Sequence, residues 1–544
     1  MHYSKATLQR SGSPAPLHRN KLPQAGERRP TDETPSMSPH LATRARIAFT
    51  TLLLLGTYMA VARPEGPRGE QALELQVVTM RPRQKIDNFG ASAAWSLDPI
   101  GSTWTRENRE RIADLLFDQR KGIGLSVFRF NIGAGSTWTD ELWDPWRGAE
   151  CFRRGPDAPY DWSRQAGQQW FLKAAWKRGV RQLLACVYSP PVWLTRNGHA
   201  HADKGARESN LRPGAEPEFA RFLADVLDHF RKQGTPFGWI SPVNEPQWAW
   251  EGGQEGCSYN HEELKRLLRA LHDELTRRRI PCRIDALEAG DIRFLLDDDL
   301  YRRWSGATDP SAAYRHGMEL RGGKYREAIR ELLGDPETAA ILGSHISAHS
   351  YWTEGDDRHL RLLRETLREN LERVKPRPTY WQTEYCVMEH GRDLGMPTAL
   401  RVAAVIHHDL VHAEASAWHW WLAVSPNDYK DGLIYTDFRR TGEQNILPSK
   451  TLWALGNFSR FLRPGSRRVE MLYPHAEDPL LASAYIAPKN DRLVVICINR
   501  SESGRRVRLL TDRQVTRWEA WLTSATSDLQ RAELGDAATE CTLP

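Results

Sequence analysis

The strongest constraint on the fold of this chain is a sequence pattern in which short apolar segments alternate with amphipathic segments. Eight short segments have the composition of buried strands, and they are centred on 87–91, 125–131, 182–188, 239–245, 283–288, 345–351, 379–385 and 415–421. A helical pattern follows each of them, near 105–119, 163–178, 216–233, 260–279, 322–333, 358–374, 398–413 and 449–461. Strand–helix repeats predict a parallel sheet. Eight of them favour a closed (β/α)8 barrel, because closure removes the exposed edges of the sheet.

The helix predicted at 216–233 shows this pattern most clearly. Its apolar residues recur at the spacing that lines one face of a helix, and they are Phe219, Phe222, Leu223, Val226, Leu227 and Phe230. A helix with a single apolar face buries that face by packing against a sheet. We therefore place the barrel at residues 85–463.

The pattern changes on both sides of the predicted barrel. Residues 464–523 contain short segments rich in β-branched and aromatic residues, at 468–473, 481–487, 492–499, 504–510 and 515–522. They predict a β domain, to which residues 73–84 would add a strand from the other side of the barrel. Residues 524–544 are predicted to be a polar tail. The expected fold class is α/β, a TIM barrel with a side-associated small antiparallel β domain.

An uncharged segment near the start, IAFTTLLLLGTYMAVA at 47–62, predicts a secretory signal peptide. Arg44 and Arg46 precede it, small residues end it, and it is shorter than the roughly 20 residues that span a membrane. We therefore interpret residues 1–62 as a leader and signal peptide cleaved after Ala62, and 63–72 as a linker. Residues 1–36 could be a mis-called start, since Met37 offers a conventional one. The expected location is secreted or periplasmic, without membrane association after cleavage, and a signal anchor is the alternative.

The charge of the chain argues against a nucleic-acid partner. The 75 basic and 69 acidic residues leave a formal charge of +6, and no basic run is interleaved with aromatic residues. The 21 tryptophans, by contrast, are typical of carbohydrate-binding proteins, because indole rings stack on sugar faces, although core packing accounts for part of them.

The cysteine and histidine patterns give no metal or redox motif. The seven cysteines are scattered without a CxxC pair, so a zinc site is not expected, while one or two disulfides remain an option in an exported protein. His345 and His349 are four residues apart, but they lie in a strand context without a third ligand. We expect neither a metal nor a cofactor.

Two glutamates close predicted strands, where barrel enzymes carry their active sites. Glu245 ends the fourth strand within the run 241–248, SPVNEPQW, and Glu384 ends the seventh within 380–385, YWQTEY. Retaining glycosidases need such a pair about 5–5.5 Å apart, one carboxylate to attack the anomeric carbon and one to protonate the leaving oxygen. A lone Glu is usually a solvated surface charge, but the pairing of these two at strand ends favours a catalytic role.

These motifs resemble those of glycoside hydrolase family 30, and more narrowly its endo-β-1,6-galactanase-like branch. The likeness is carried by Ile86–Ser92, by Gly122–Ser126 running into Phe128–Gly135, by Ser189–Trp193 and by Pro242–Trp248. It covers roughly residues 75–520.

The resemblance implies roles for individual side chains. It assigns Glu245 as acid/base and Glu384 as nucleophile, with Arg129 keeping the nucleophile ionised and Asn244 meeting the sugar 2-hydroxyl. His349 and Tyr351 lie two residues apart, so they share one face of a strand and would line the mouth of the barrel. The remaining implied substrate-binding residues are aromatic walls for stacking, namely Trp193, Trp418 and Trp420.

The function expected from the resemblance is retaining hydrolysis of a β-linked polysaccharide by double displacement, with endo-β-1,6-galactanase-like specificity. The partner expected is therefore a polysaccharide or oligosaccharide substrate. Alternatives within the family are a β-1,6-glucanase, a glucosylceramidase-like enzyme or a xylanase. A transglycosylase, or a non-catalytic carbohydrate-binding protein on the same scaffold, are the further alternatives.

Overall fold

The computed structural model describes residues 72–139, 147–206, 208–307, 325–437, 443–474, 479–533 and 540–544. The strands are β1 (Leu73–Lys85), β2 (Asn88–Ser92), β3 (Val127–Asn131), β4 (Gln182–Cys186), β5 (Trp239–Ser241), β6 (Arg283–Ile284), β7 (His345–His349), β8 (Thr379–Glu384), β9 (Ala417–Ser425), β10 (Gly432–Tyr435), β11 (Leu447–Pro448), β12 (Arg467–Leu472), β13 (Leu480–Ile486), β14 (Leu493–Asn499), β15 (Arg505–Thr511), β16 (Ala520–Leu522), β17 (Gln530–Ala532) and β18 (Glu540–Leu543). The helices are α1 (Leu97–Thr103), α2 (Arg106–Phe117), α3 (Ala166–Lys177), α4 (Glu216–Lys232), α5 (His261–Arg278), α6 (Asp298–Ala307), α7 (Pro336–Leu342), α8 (Asp357–Arg373), α9 (Met396–Val411) and α10 (Lys450–Ser459). The predicted leader and signal peptide, and the linker up to residue 71, lie outside the described residues.

Strands β2 to β9 form the barrel. Neighbouring strands are parallel and pair in the order β9-β2-β3-β4-β5-β6 on one side and β7-β8-β9 on the other. The ring closes just beyond β6, where Ala289 bridges Ala348 and the His349 N–H donates to the Ala289 carbonyl at 2.7 Å. The predicted fold class, a (β/α)8 barrel beside a small β domain, is confirmed.

The helices cover the barrel with the faces that the sequence pattern predicts. All six recurring apolar side chains of α4 are buried, and each contributes about 1.5–3 kcal/mol to stability. Helix α5 begins in a capping box, in which the Asn260 side chain accepts from the Glu263 N–H and the Glu263 carboxylate accepts from the Asn260 N–H. This reciprocal pair satisfies two backbone donors that would otherwise lack partners.

The segment between β6 and β7 differs from the single helix predicted at 322–333. It carries α6, a wide helical turn at Ile329–Leu333 and then α7, which begins at Pro336 after the Asp335 cap. Proline suits the first turn of a helix but blocks the turn before it. The helical structure therefore divides near this proline instead of running on as one element.

The β domain is one six-stranded sheet in the order β14-β13-β12-β1-β15-β18. Strand β1 lies in its middle, antiparallel to β12 and parallel to β15. The segment predicted at 515–522 stays outside this sheet, since β16 pairs only with β17 in a separate two-stranded sheet.

The polar tail predicted for residues 524–544 is wrong. Residues Gln530–Ala532 form β17, and Glu540–Leu543 form β18, which pairs antiparallel with β15 from Arg505↔Leu543 to Arg508↔Glu540. Four residues are too few to show a strand period, and the cross-strand pairing of Glu540 with Arg506 and Arg508 becomes visible only in the fold. The β domain therefore extends to the last described residues.

Two further predictions concern cysteines and membranes. Each of the seven cysteines is a free thiol, so neither of the disulfides left open by the sequence is formed.

Over the ranges that the structure describes, no helix combines the length and apolarity that crossing a bilayer requires.

The packing of α1 against α3 generates a stability prediction. A Cβ on Gly167 would lie 1.8 Å from the Asp98 carbonyl oxygen, and backbone atoms cannot move aside as a flexible side chain can. We expect Gly167→Ala to lower the free energy of unfolding by about 1–3 kcal/mol, despite the better helix propensity of alanine, as measured by urea unfolding. The control is Gly155→Ala, where a Cβ meets nothing within 4 Å; equal losses in both variants would contradict the close contact.

Candidate active site

The two glutamates predicted as a pair do meet at the C-terminal end of the barrel. Glu384 is the last residue of β8, and Glu245 follows β5 by four residues. Each is 4% exposed. One oxygen of each carboxylate, together with a ring nitrogen of His349, lies within 4.8 Å of the others. The separation along the chain is thus bridged by the curvature of the barrel.

The backbone of Glu245 is held in an uncommon conformation. Its φ is 43°, in the left-handed region, which costs a non-glycine residue about 1–2 kcal/mol. The conformation is fixed from both sides: the Glu245 N–H donates to the Glu288 carbonyl at 2.9 Å, and the Glu245 carbonyl accepts from the Trp250 indole N–H at 3.0 Å. Such a conformation persists only where its surroundings determine it, and it is commonest at functional sites.

Both oxygens of Glu384 have donors. The Tyr351 hydroxyl donates to Oε1 at 2.9 Å, and Arg129 donates from Nη1 to Oε2 at 3.1 Å. The same Arg129 nitrogen donates to the Thr383 carbonyl at 2.5 Å. These bonds fix the carboxylate in one orientation toward Glu245.

A third carboxylate, Glu288, was missed by the sequence analysis. It follows β6, and its Oε2 accepts from Arg129 at 3.2 Å, from His349 at 2.7 Å and from the Thr383 hydroxyl at 2.7 Å. The signal was present, because Glu288 is the last residue of a predicted strand, as Glu245 is, and Glu384 lies one residue before the end of another. No motif surrounds it, and so that position alone did not separate it from an ordinary acidic residue.

His349 links the three carboxylates. Its Nδ1 lies 2.9 Å from Glu245 Oε1 and 3.7 Å from Glu384 Oε1, while Nε2 faces Glu288. Burial opposes a charge on the ring, but the three surrounding carboxylates prevail and raise the pKa of His349 to about 10. Both ring nitrogens therefore act as N–H donors at neutral pH.

The pKa values of Glu384 and Glu288 move in opposite directions. Burial raises the pKa of Glu384 to about 7, against the lowering effects of His349 and Arg129. Burial acts on Glu288 in the same sense, but Arg129 and the hydrogen bonds from His349 and Thr383 overcome it and lower the pKa of Glu288 to about 2. Glu288 is thus a permanent anion, whereas Glu384 titrates near neutrality.

The charges at the C-terminal end of the barrel balance when the three carboxylates together carry one proton. Arg129 and His349 supply two positive charges, and Glu245, Glu288 and Glu384 supply three carboxylates, all buried. A buried cluster favours neutrality, since an uncompensated charge is costly. Between the two facing carboxyls, burial raises the pKa of Glu384 to about 7, so the proton that neutrality retains is held there near neutral pH. One neutral acid and one anion side by side are what acid-assisted nucleophilic displacement requires.

One histidine and two carboxylates at this spacing are also residue types that hold divalent cations. Here Arg129 already places a guanidinium on Glu384, and the protonated His349 has no lone pair to offer a metal. We therefore interpret the group as a proton-transfer and nucleophilic site.

The structure brings most of the predicted site residues together. Arg129 and Tyr351 contact Glu384, and His349 contacts Glu245. Asn244 precedes Glu245, is 3% exposed, and its side-chain oxygen lacks a protein partner among the described residues. That oxygen is therefore available to a ligand.

Trp418 and Trp420 do not form the predicted stacking walls. Alternate residues of a strand point to opposite faces, and both lie on the face of β9 opposite His419. The Trp418 indole N–H donates to Asp409 of α9, and the Trp420 N–H donates to the Asp431 carbonyl. Both rings are fully buried beneath the helices and cannot stack on a sugar.

Trp193 lies in the short turn that follows β4. Its N–H donates to the Arg153 carbonyl at 3.1 Å, and its ring packs edge-on against Phe222 of α4. These contacts tie it to the loops around α4. Its role as a stacking wall stays a prediction.

A different aromatic cluster, also missed from the sequence, stands near the carboxylates. Trp95, Tyr188 and Trp421 have ring centroids 5.3–6.0 Å apart. Tyr188 lies close enough to Glu384 for that charge, after burial itself, to raise the pKa of its phenol. Trp421 shares the inward face of β9 with His419, so the strand register, not the number of tryptophans, decides which ones reach the mouth.

The comparisons with known proteins agree with this geometry. A family model described as O-Glycosyl hydrolase family 30 matches residues 72–316 and 324–435. The chain is 24% identical over 223 residues to an endo-β-1,6-galactanase of Hypocrea rufa, spanning 35% of this chain and 44% of that protein. It is 23% identical over 368 residues to the glucuronoxylanase XynC of Bacillus subtilis, spanning 66% of this chain and 69% of that one.

Among solved structures, the chain is similar to a conserved exported protein from Bacteroides fragilis. The sequence identity is 30% and the TM-score 0.75, over 86% of this chain and 98% of the other. The likeness therefore extends over both the barrel and the β domain.

The hydrogen bond from Tyr351 to Glu384 generates a prediction about pKa. A donor to the charged form stabilises it, so Tyr351→Phe should raise the pKa of Glu384 above its value of about 7. The measurement is a carboxyl ¹³C NMR titration, with the Glu384 signal identified by its loss in Glu384→Gln. Tyr385→Phe is the matched control, because that buried hydroxyl donates to Glu354 instead; a pKa unchanged in Tyr351→Phe would refute the assigned contact.

Proposed function

Because the chain belongs to O-glycosyl hydrolase family 30, we propose that it is a retaining glycoside hydrolase that cleaves a β-linked polysaccharide by double displacement. The observation that carries the proposal is the approach of one Glu245 oxygen and one Glu384 oxygen to within 4.8 Å. Retaining enzymes hold their carboxyl groups about 5–5.5 Å apart, whereas inverting enzymes leave about 6.5–9.5 Å for a water molecule.

In the first step, the Glu384 carboxylate attacks the anomeric carbon as the glycosidic bond breaks. Glu245 donates its proton to the leaving oxygen, so a covalent glycosyl–Glu384 ester forms and the aglycone leaves as an alcohol. Arg129 and Tyr351 hold the attacking carboxylate in line with the bond. Fixing it in this way lowers the entropic cost of reaching the transition state.

In the second step, water attacks the anomeric carbon and Glu245 accepts its proton, which regenerates the Glu384 carboxylate with net retention. Esterification has by then removed the negative charge of Glu384. Glu245 then faces an uncharged ester instead of a carboxylate, and it acts as the base of this step. One residue can thus serve first as acid and then as base.

The sugar-binding groups are those that face the mouth. The unpartnered oxygen of Asn244 can accept a hydrogen bond from the sugar 2-hydroxyl, an interaction that strengthens as the oxocarbenium ion develops. Trp95, Tyr188 and Trp421 offer aromatic surface for stacking.

The substrate class we propose is a β-1,6-linked galactan cut internally. It is supported by the likeness to the Hypocrea rufa endo-β-1,6-galactanase and by the segments 122–135 and 242–248 that carry the resemblance. A xylan is the second candidate, because the match to the glucuronoxylanase spans a larger share of this chain.

We propose in addition that the protein is exported, to the periplasm or the medium. The support is the signal-peptide pattern that ends at Ala62 and the likeness over most of the chain to a protein described as exported. A polysaccharide too large to enter a cell would be met there.

The two carboxylates can be assigned separately by azide rescue. Glu245→Ala should lower kcat/KM on an unactivated substrate by about 10²–10⁴-fold. On an aryl glycoside, whose leaving group needs no acid, azide should restore turnover of this variant with a glycosyl azide of retained configuration. Glu384→Ala should lose about 10⁴-fold or more, and azide should then give the inverted product. Glu414→Gln is the control, because Glu414 is a buried carboxylate that pairs with Arg377 and Arg468 outside the site. A fall in kcat/KM as large in this variant as in the other two would contradict the assignment of Glu245 and Glu384.

The substrate proposal is tested by product sizing on a polysaccharide panel. We expect wild type to release short oligosaccharides from β-1,6-galactan and to lower its viscosity early, as internal cleavage does. Glucuronoxylan and β-1,6-glucan are the competing substrates, with Glu384→Gln as the blank. Faster release from either competitor overturns the galactan proposal, and release equal to the blank from all three leaves the carbohydrate-binding alternative.

A further inference from the structure

We propose that Glu288 is a positioning residue that sets the charge balance of the catalytic pair, so that one of Glu245 and Glu384 keeps a proton while the other is ionised. This inference rests on the proposed function, in which both forms are needed at once. Glu288 is 0% exposed, so it does not touch substrate, and it acts through the residues that do.

Glu288 reaches the two catalytic carboxylates by three separate routes. Its side chain holds Arg129, whose other terminal nitrogen donates to Glu384. Its side chain also holds His349 Nε2, whose ring places Nδ1 2.9 Å from Glu245. Its backbone carbonyl accepts the N–H of Glu245. One residue therefore orients both groups and fixes the separation between them.

The charge count shows why a third carboxylate is needed. Without Glu288, the cations Arg129 and His349 would balance the ionised forms of Glu245 and Glu384, and neither would need a proton. With Glu288 present there are three carboxylates against two cations, so neutrality retains one proton on the pair. The acid of the first step is thus preserved by a residue that never meets the sugar.

Other titratable groups that face this cluster keep one charge state over the working pH range. They are Cys186, Tyr188, Tyr351 and His419, and all are buried. Burial raises the pKa of Cys186 to about 12, raises those of both tyrosines well above 10, and lowers that of His419 to about 3. Asp285 is the remaining carboxyl nearby, and it is paired with His345. The pair and its two cations therefore determine the pH dependence.

That Asp285–His345 pair provides a matched control. It lies on the same two elements as Glu288 and His349, one layer deeper in the barrel, with Asp285 Oδ1 and His345 Nε2 2.8 Å apart. Both residues are buried, but their hydrogen bond involves neither catalytic carboxylate. Removing its charge tests the cost of losing a buried carboxylate–histidine pair as such.

The experiment compares Glu288→Gln with Asp285→Asn in the full chain. Since Glu288 raises the pKa of Glu384 by repulsion, its removal should lower that pKa. We expect the whole pH profile of kcat/KM on the best polysaccharide to move to lower pH by about one unit, with a fall at the wild-type optimum of about tenfold or more. In Asp285→Asn we expect the pH profile of wild type, whatever the loss in thermal stability.

A second measurement separates this inference from the proposed function. A ¹³C NMR titration of the Glu384 carboxyl needs no turnover, so a lower pKa in Glu288→Gln supports the inference even if no glycan is cleaved. A pH profile and a Glu384 pKa both equal to wild type would overturn it, and would leave Glu288 a merely structural residue. Should Glu288→Gln not fold, Glu288→Asp keeps the charge: it should lose activity without moving the profile, and a moved profile would overturn the inference.

Discussion

Every feature of the site depends on keeping five ionisable groups out of water without leaving a charge uncompensated. Arg129, Glu288 and His349 form a chain of hydrogen bonds with Glu245 and Glu384, and all five side chains are buried. Removing ions from water costs several kcal/mol for each, which mutual attraction offsets only in good geometry. The barrel supplies that geometry, because the five residues lie on or just after five different strands, whose spacing is fixed by the sheet.

The layer outside the strands contributes to the same task. Asp409 of α9 accepts hydrogen bonds from Arg364 of α8, from Ser350 and from Trp418. Ser350 in turn precedes Tyr351, and its N–H donates to the Glu384 carbonyl. The buried polar network beneath the helices therefore anchors the turn that carries the tyrosine. Trp418 belongs to this support, which explains why a large aromatic residue beside the site is closed to substrate.

Family membership and local geometry inform different parts of the function. The carboxylate spacing and the shared proton favour retaining displacement whichever glycan is bound, because these features concern only the bond being broken. We expect substrate choice to depend instead on groups farther from that bond, such as the Trp95–Tyr188–Trp421 cluster. Relatives that are 23–24% identical to this chain are named for activity on galactan and on glucuronoxylan, so family membership by itself leaves the glycan open.

The sequence by itself determined the barrel and the proximity of Glu245 and Glu384, since apolar periodicity and the position of these glutamates near strand ends are local properties. It could not determine which face of β9 each tryptophan occupies, since a shift of one residue reverses every side chain. Nor could it identify Glu288, which has no motif and acquires its role from Arg129 and His349 on other strands. Only the tertiary structure decided the charge balance, because that balance depends on distances between residues on different strands, up to 255 positions apart for Arg129 and Glu384, and on their removal from water.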